Sequence, residues 1–171
     1  LLEYLERSNY MIPGGFRVIA TVNSFDRAYL FTLGYALQRR FVVLEIFPPN
    51  NPEDEIRAII EQFRRKNIHV DDVVKEIVKE SVKIVRTLRD LSGRQLGIGI
   101  TVDVSMLAYE IVKSSGVEDI KSSVEQAASC IALSQLEPIE MEAAEFSEKL
   151  RNQGYPRMAN EVERAGFVRK Y

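Results

Sequence analysis

Thr21 and Asn23 close an apolar run. Asp26 and Arg27 follow in the next stretch. Arg39 and Arg40 end a short apolar segment just before a second apolar run begins. An asparagine amide both donates and accepts, so Asn23 could hold a water or a phosphate oxygen. Paired guanidinium forks could stabilise charge developing on a transferred phosphoryl group, including one held by a neighbouring subunit. The rest of the catalytic menu is short. The sequence has one histidine, His69, and one cysteine, Cys130. That is too few for a His-based zinc site, a thiolate metal site or a disulfide within the chain. A Ser-His-Asp arrangement is not visible, so any chemistry would rest on carboxylates, arginines, amides or backbone. A lone cysteine suits a reducing compartment, and the expected location is cytoplasmic. Both Cys130 and His69 read as structural or incidental.

These residues need elements to position them. Phe16–Asn23 (FRVIATVN) is nearly continuous in apolar and β-branched residues, and Phe41–Phe47 (FVVLEIF) reads the same way. Such runs predict strands buried on both faces, as in a parallel sheet. Residues 24–40 are long enough for a crossover helix, which makes a β-α-β arrangement. Asn23 then lies at the carboxyl end of its strand, where open α/β sheets bind ligands. Arg39 and Arg40 lie at the opposite end, at the entrance of the next strand, and are expected to face a neighbouring subunit. Residues 1–9 (LLEYLERSN) read as part of an amphipathic helix, so the chain is expected to be the later part of something longer. Pro13-Gly14-Gly15 is a turn, and Pro48-Pro49 stops the second run.

Beyond Pro48–Asn51 the character changes to helices only. Asn51-Pro52-Glu53-Asp54 is a helix start: a capping side chain, proline at the first helical position, and acids in the first turn. Ile56, Ile59, Ile60 and Phe63 follow at helical spacing. A longer helix places Val70, Val73, Val74, Ile77, Ile84, Val85, Leu88 and Leu91 on one face and ends at Ser92-Gly93. A glycine-containing loop over 93–101 is expected next. Further helices follow over about 103–114, 118–134 and 138–152, and from Pro156 to near Gly166, placed by apolar periodicity and by glycine and proline. The expected fold is an α/β fragment over residues 1–49 followed by an all-α bundle over 50–171, mostly α overall.

Bulk properties narrow the partners. There are 23 Lys and Arg against 25 Asp and Glu, a net charge of -2, and 46% apolar residues. This is a globular composition with no overall basic field for nucleic acid. No apolar stretch approaches the roughly 18 residues of a membrane helix, and no membrane partner is expected.

The segment Phe16–Phe47 resembles the second half of an AAA+ nucleotidase core, nearest to the MoxR and McrB-like branch. The likeness is carried by Thr21-Val22-Asn23, Asp26-Arg27 and Ala36-Leu37-Gln38-Arg39-Arg40-Phe41, in that order. The resemblance implies that Thr21 and Asn23 lie at the sensor-1 position and that Asn23 places the attacking water. It implies that Arg39 or Arg40 is an arginine finger acting on the neighbour's nucleotide. Asp26 and Arg27 would contribute at the subunit boundary. The bundle after Asn51 would be a helical lid. Arg94 is the candidate for a sensor-2 contact to nucleotide. The implied cofactors are ATP or GTP with Mg2+. The implied assembly is a homo-oligomeric ring, commonly a hexamer, that remodels a protein or nucleic-acid partner. The sequence departs from the family's pattern: it holds no G-x-x-x-x-G-K-[ST] and no strand ending in Asp-Glu before the sensor, and Arg94 is not a clear match to the sensor-2 position. These 171 residues are therefore expected to hydrolyse nothing alone.

Plainer readings stand beside these. Asn23 could simply end a strand, and Arg39-Arg40 could be a solvated helix end favoured by the dipole. Gly97-Ile98-Gly99 reads as a turn, Arg94 as a surface residue near a helix end, and Arg64-Arg65-Lys66 as a helix C-terminus. Two other functions compete with the nucleotidase. One is a non-enzymatic helical interaction module. The other is a DNA-binding helical domain, which the charge balance opposes.

Overall fold

The computed structural model describes residues 14–21, 40–42, 44, 46–94, 96–116, 119–136 and 143–165. The chain divides into two compact units, Leu1–Glu45 and Ile46–Tyr171. The second contains six α-helices among the described residues: α1 (Pro52–Arg65), α2 (Asp72–Ser92), α3 (Ile98–Ser115), α4 (Ile120–Ile131), α5 (Ala143–Asn152) and α6 (Pro156–Ala165). A 3-10 turn over Leu133–Gln135 follows α4. Most of the described chain is helical.

The starts and stops of these helices are local chemistry. Asn51 caps α1, its Oδ1 accepting from the Glu53 N–H at 3.0 Å, with Pro52 at the first helical position. Asp71 caps α2 by accepting from the Val74 N–H at 2.8 Å, and Asp119 caps α4 by accepting from the Ser122 N–H at 3.1 Å. Gly93 ends α2 in the left-handed region (φ 65°), a conformation that a residue with a Cβ adopts only under strain. The acids of the first turn and Arg64 and Arg65 of the last suit the dipole of α1.

The long helix α2 is central, packing against α1, α3 and α4, while α5 and α6 form a hairpin that joins the bundle through α6 and α4. One core cluster joins Ile77, Val85 and Leu88 of α2 to Val104 and Ala108 of α3, Val124 and Ala128 of α4, Phe146 and Leu150 of α5, and Met158 and Val162 of α6. A second joins Ile59 and Phe63 of α1 to Val74, Val78 and Val82 of α2. The Phe63 ring meets the Tyr109 ring edge to face, centroids 5.8 Å apart. Each large side chain fully buried here contributes about 1.5–3 kcal/mol.

The helices expected from periodicity are present, with differences. Val73 is half exposed, because the buried stripe of α2 runs through Val74, Ile77, Val78, Ser81, Val82 and Val85 instead. The loop expected over 93–101 is shorter. Helix α3 begins at Ile98, since Ile98 and Val102 pack on the α1–α2 core and Thr101 is buried. That packing outweighs the poor helix propensity of Gly99. The described part of the helix expected over 138–152 starts at Ala143.

The two strands expected over 16–23 and 41–47 are absent among the described residues, and the described side chains there are not buried. Ile19, Val42, Leu44 and Ile46 are almost fully exposed. A strand takes its hydrogen bonds and both faces from neighbours, and the described residues supply none. The expected helix over residues 1–9, the crossover helix over 24–40 except for Arg40, and the stop at Gly166 lie outside the described residues.

Candidate functional site

Of the residues singled out by sequence as a site, Thr21, Arg40 and Arg94 lie among the described residues. Thr21 ends the described stretch 14–21 and is exposed, and Arg40 is exposed within 40–42. Asn23, Asp26, Arg27 and Arg39 lie outside the described residues. Arg94 stands just past α2, half-buried, its N–H donating to Ser92 Oγ at 3.2 Å. Gly97 precedes α3 and Gly99 lies in its first turn, so the pair marks a helix start.

The most organised polar cluster in the helical unit centres on Glu55. This glutamate sits near the start of α1 with no exposed surface. It points the same way as Ile59 and Phe63, four and eight residues on, and so is carried into the packed face of α1. Arg89 of α2 grips it with a bidentate fork, Nη2 to Oε1 at 2.6 Å and Nη1 to Oε2 at 2.8 Å. Thr101 of α3 donates its hydroxyl to Oε1 at 2.8 Å and accepts from Arg89 Nη2 at 3.2 Å. Arg89 Nε donates to the Leu96 carbonyl at 2.7 Å. Arg86, one turn before Arg89, donates to the Pro49 carbonyl at 3.0 Å and the Asn50 carbonyl at 2.6 Å, and approaches Glu55 Oε2 at 3.4 Å.

The electrostatics follow from this geometry. Burial alone would push the Glu55 carboxyl up. The hydrogen bonds from Arg89 and Thr101, the charge of Arg89 and the contact with Arg86 outweigh it, so the group sits below the ordinary glutamate value. An ionised carboxylate with both oxygens engaged and no solvent contact cannot take a proton from a substrate. Its role is to hold α1, α2, α3 and the connection between α2 and α3 in one register. Arg86 also borders an open groove between α1 and α2, where Lys79 and Lys83 are matched by Glu53, Glu80 and Asp90. That balance does not mark an anion site.

A second buried acid, Glu125 of α4, accepts from the Met158 N–H at 2.9 Å and so caps α6 from another helix. Beside it the Tyr155 ring is buried, with Lys121 Nζ 5.6 Å from its centroid. Among the described residues the Tyr155 Oη makes no hydrogen bond of good geometry, and burial pushes the phenol up, with the nearby Thr87 hydroxyl pulling the other way.

Glu55, Arg86, Arg89 and Thr101 were not singled out by sequence. The signal was an acid at the head of an apolar stripe, four residues before Ile59, together with arginines placed four residues after the buried Val82 and Val85. Among the described residues no group of three or more His, Cys, Asp or Glu could hold a metal, and no helix is long and apolar enough to cross a membrane. No protein-family model, curated protein or solved structure matches the chain.

Proposed function

We propose that the chain is the sensor and lid portion of a ring-forming AAA+ nucleotidase of the MoxR and McrB-like branch, which couples ATP or GTP hydrolysis to remodelling of a partner. The observation that carries this reading is one of order. The series Thr21, Asn23, Asp26, Arg27, Arg39, Arg40, Phe41 is followed directly by a helical unit with its own core, opened by the Asn51 cap. On this reading Asn23 positions the attacking water and Arg39 or Arg40 reaches the nucleotide of the neighbouring subunit. Asp26 and Arg27 act at the subunit boundary, and Arg94 is the lid's contact. Nucleotide and Mg2+ would be held mainly by a phosphate loop and an acidic strand that these 171 residues do not contain. The exposed apolar side chains of Phe16, Val18, Ile19, Val42 and Leu44 support the same reading, since they suit strands of a parallel sheet whose neighbours come from such a core.

The test is hydrolysis by the encoded protein that carries this chain together with a phosphate loop. Asn23→Ala and Arg39→Ala are each expected to lower kcat by at least about a hundredfold. Mixed rings of the two variants are expected to regain part of the activity, because each supplies what the other lacks at a shared boundary. The 171-residue chain alone is expected to show no turnover. Full activity in both single variants would overturn the proposal. The self-contained helical core favours a second reading, a non-enzymatic interaction module, which predicts partner binding by residues 46–171 without any nucleotide dependence.

A further inference from the structure

We propose that Arg86 and Arg89, joined through Glu55, are positioning residues that couple the entry into the helical unit to the α2–α3 connection, so that displacement of either segment is felt by the other. The path is continuous. The Pro49 and Asn50 carbonyls accept from Arg86, Arg86 touches Glu55, Glu55 is forked by Arg89, and Arg89 Nε holds the Leu96 carbonyl. The Leu96 N–H in turn donates to the Arg94 carbonyl at 3.0 Å, so Arg94 belongs to the backbone that Arg89 fastens.

Three physical features make this a coupling element. The entry segment is stiffened by Pro48, Pro49 and Pro52, so its carbonyls move together. Guanidinium forks are planar and fix direction as well as distance, so Arg86 cannot follow a shift of Asn50 without turning against Glu55. At its centre Glu55 and Thr101 are buried, where such bonds are strong and costly to leave unmade. If Arg94 contacts nucleotide, which rests on the AAA+ reading, the node would carry that contact to the point where the helical unit begins.

The test is amide hydrogen exchange on the 171-residue chain without nucleotide, so a failed hydrolysis assay leaves its result standing and the reverse also holds. Arg86→Ala removes the bonds at the entry only. Exchange is expected to rise about fivefold or more both at the amides of 53–55, which donate to Asn51 at the entry, and in 94–97, while the α5–α6 hairpin stays within about twofold. Arg86→Lys, which keeps the charge without the fork, is expected to fall between wild type and Arg86→Ala. Should Arg86→Ala fail to fold, Thr101→Val perturbs the node from α3 and is expected to speed exchange at the amides of 53–55 selectively. Acceleration confined to the perturbed end would overturn the coupling. So would an equal rise at all amides, which is the signature of lowered global stability alone.

Discussion

The described apolar residues of 16–21 and 41–47 and those of α1 to α6 are similar in kind, yet their fates differ. Ile59, Phe63, Ile77 and Leu88 have no exposed surface, whereas Ile19 is 90% exposed and Val42 95%. A helix satisfies its own backbone and needs only a partner for one face, which α2 offers on several sides. A strand of a parallel sheet needs neighbours for its hydrogen bonds and cover for both faces. The comparison teaches that a β-pattern in sequence records a demand for burial, which the described residues of these two stretches leave unmet.

The largest expected effect attacks the well-satisfied side of this comparison. Glu55→Gln keeps the shape of the side chain but leaves Arg89 buried without its counter-charge. Urea unfolding is expected to show a loss of about 3 kcal/mol. The same variant has a signature in acid. Because the folded Glu55 value is depressed, its stabilisation is fully present above the ordinary glutamate value of about 4.3 and is lost as pH falls through the folded value. Wild type should therefore lose stability over that window more steeply than Glu55→Gln. Equal slopes would mean that Glu55 is not held ionised.

That node also marks how far the sequence was legible. Caps and stripes are local, so Asn51, Gly93 and the buried faces of α1 and α2 could be read from a few neighbouring residues. Glu55 meets Arg89 and Thr101 at separations of 34 and 46 residues, and nothing local announces which buried acid meets which arginine. The start of α3 was misplaced for the same reason, since the burial of Thr101 and the packing of Ile98 decide it against the glycines. For the strands the pattern named the residues that seek cover and was silent on what supplies it. Of the candidate site, Thr21, Arg40 and Arg94 have described positions, and their chemistry was read from type and order alone.

A smaller effect probes the local side of the helical unit. Asn51→Ala removes the acceptor for the Glu53 N–H and should cost about 1 kcal/mol in thermal or urea unfolding. Asn51→Gly should cost only a few tenths, because the cap conformation is kept and water can reach the freed amide. If both variants match wild type, the start of α1 is held by Glu55 and Arg86 rather than by its cap. The hierarchy between local and long-range contacts in this unit would then be reversed.

The smallest effect is expected on the other side of the comparison. Ile19→Ser replaces a large apolar side chain that makes almost no contact, so unfolding of the chain should change by no more than about 0.5 kcal/mol. Solubility should rise, read as lower light scattering at high concentration, because an exposed apolar run with β-branched residues favours pairing between chains. The same substitution in a protein that supplies the neighbouring strands should instead cost about 2 kcal/mol or more, since it would then place a hydroxyl in a buried sheet. A large loss already in the 171-residue chain would show that Ile19 is covered within it. The contrast between the two regions would then be one of degree.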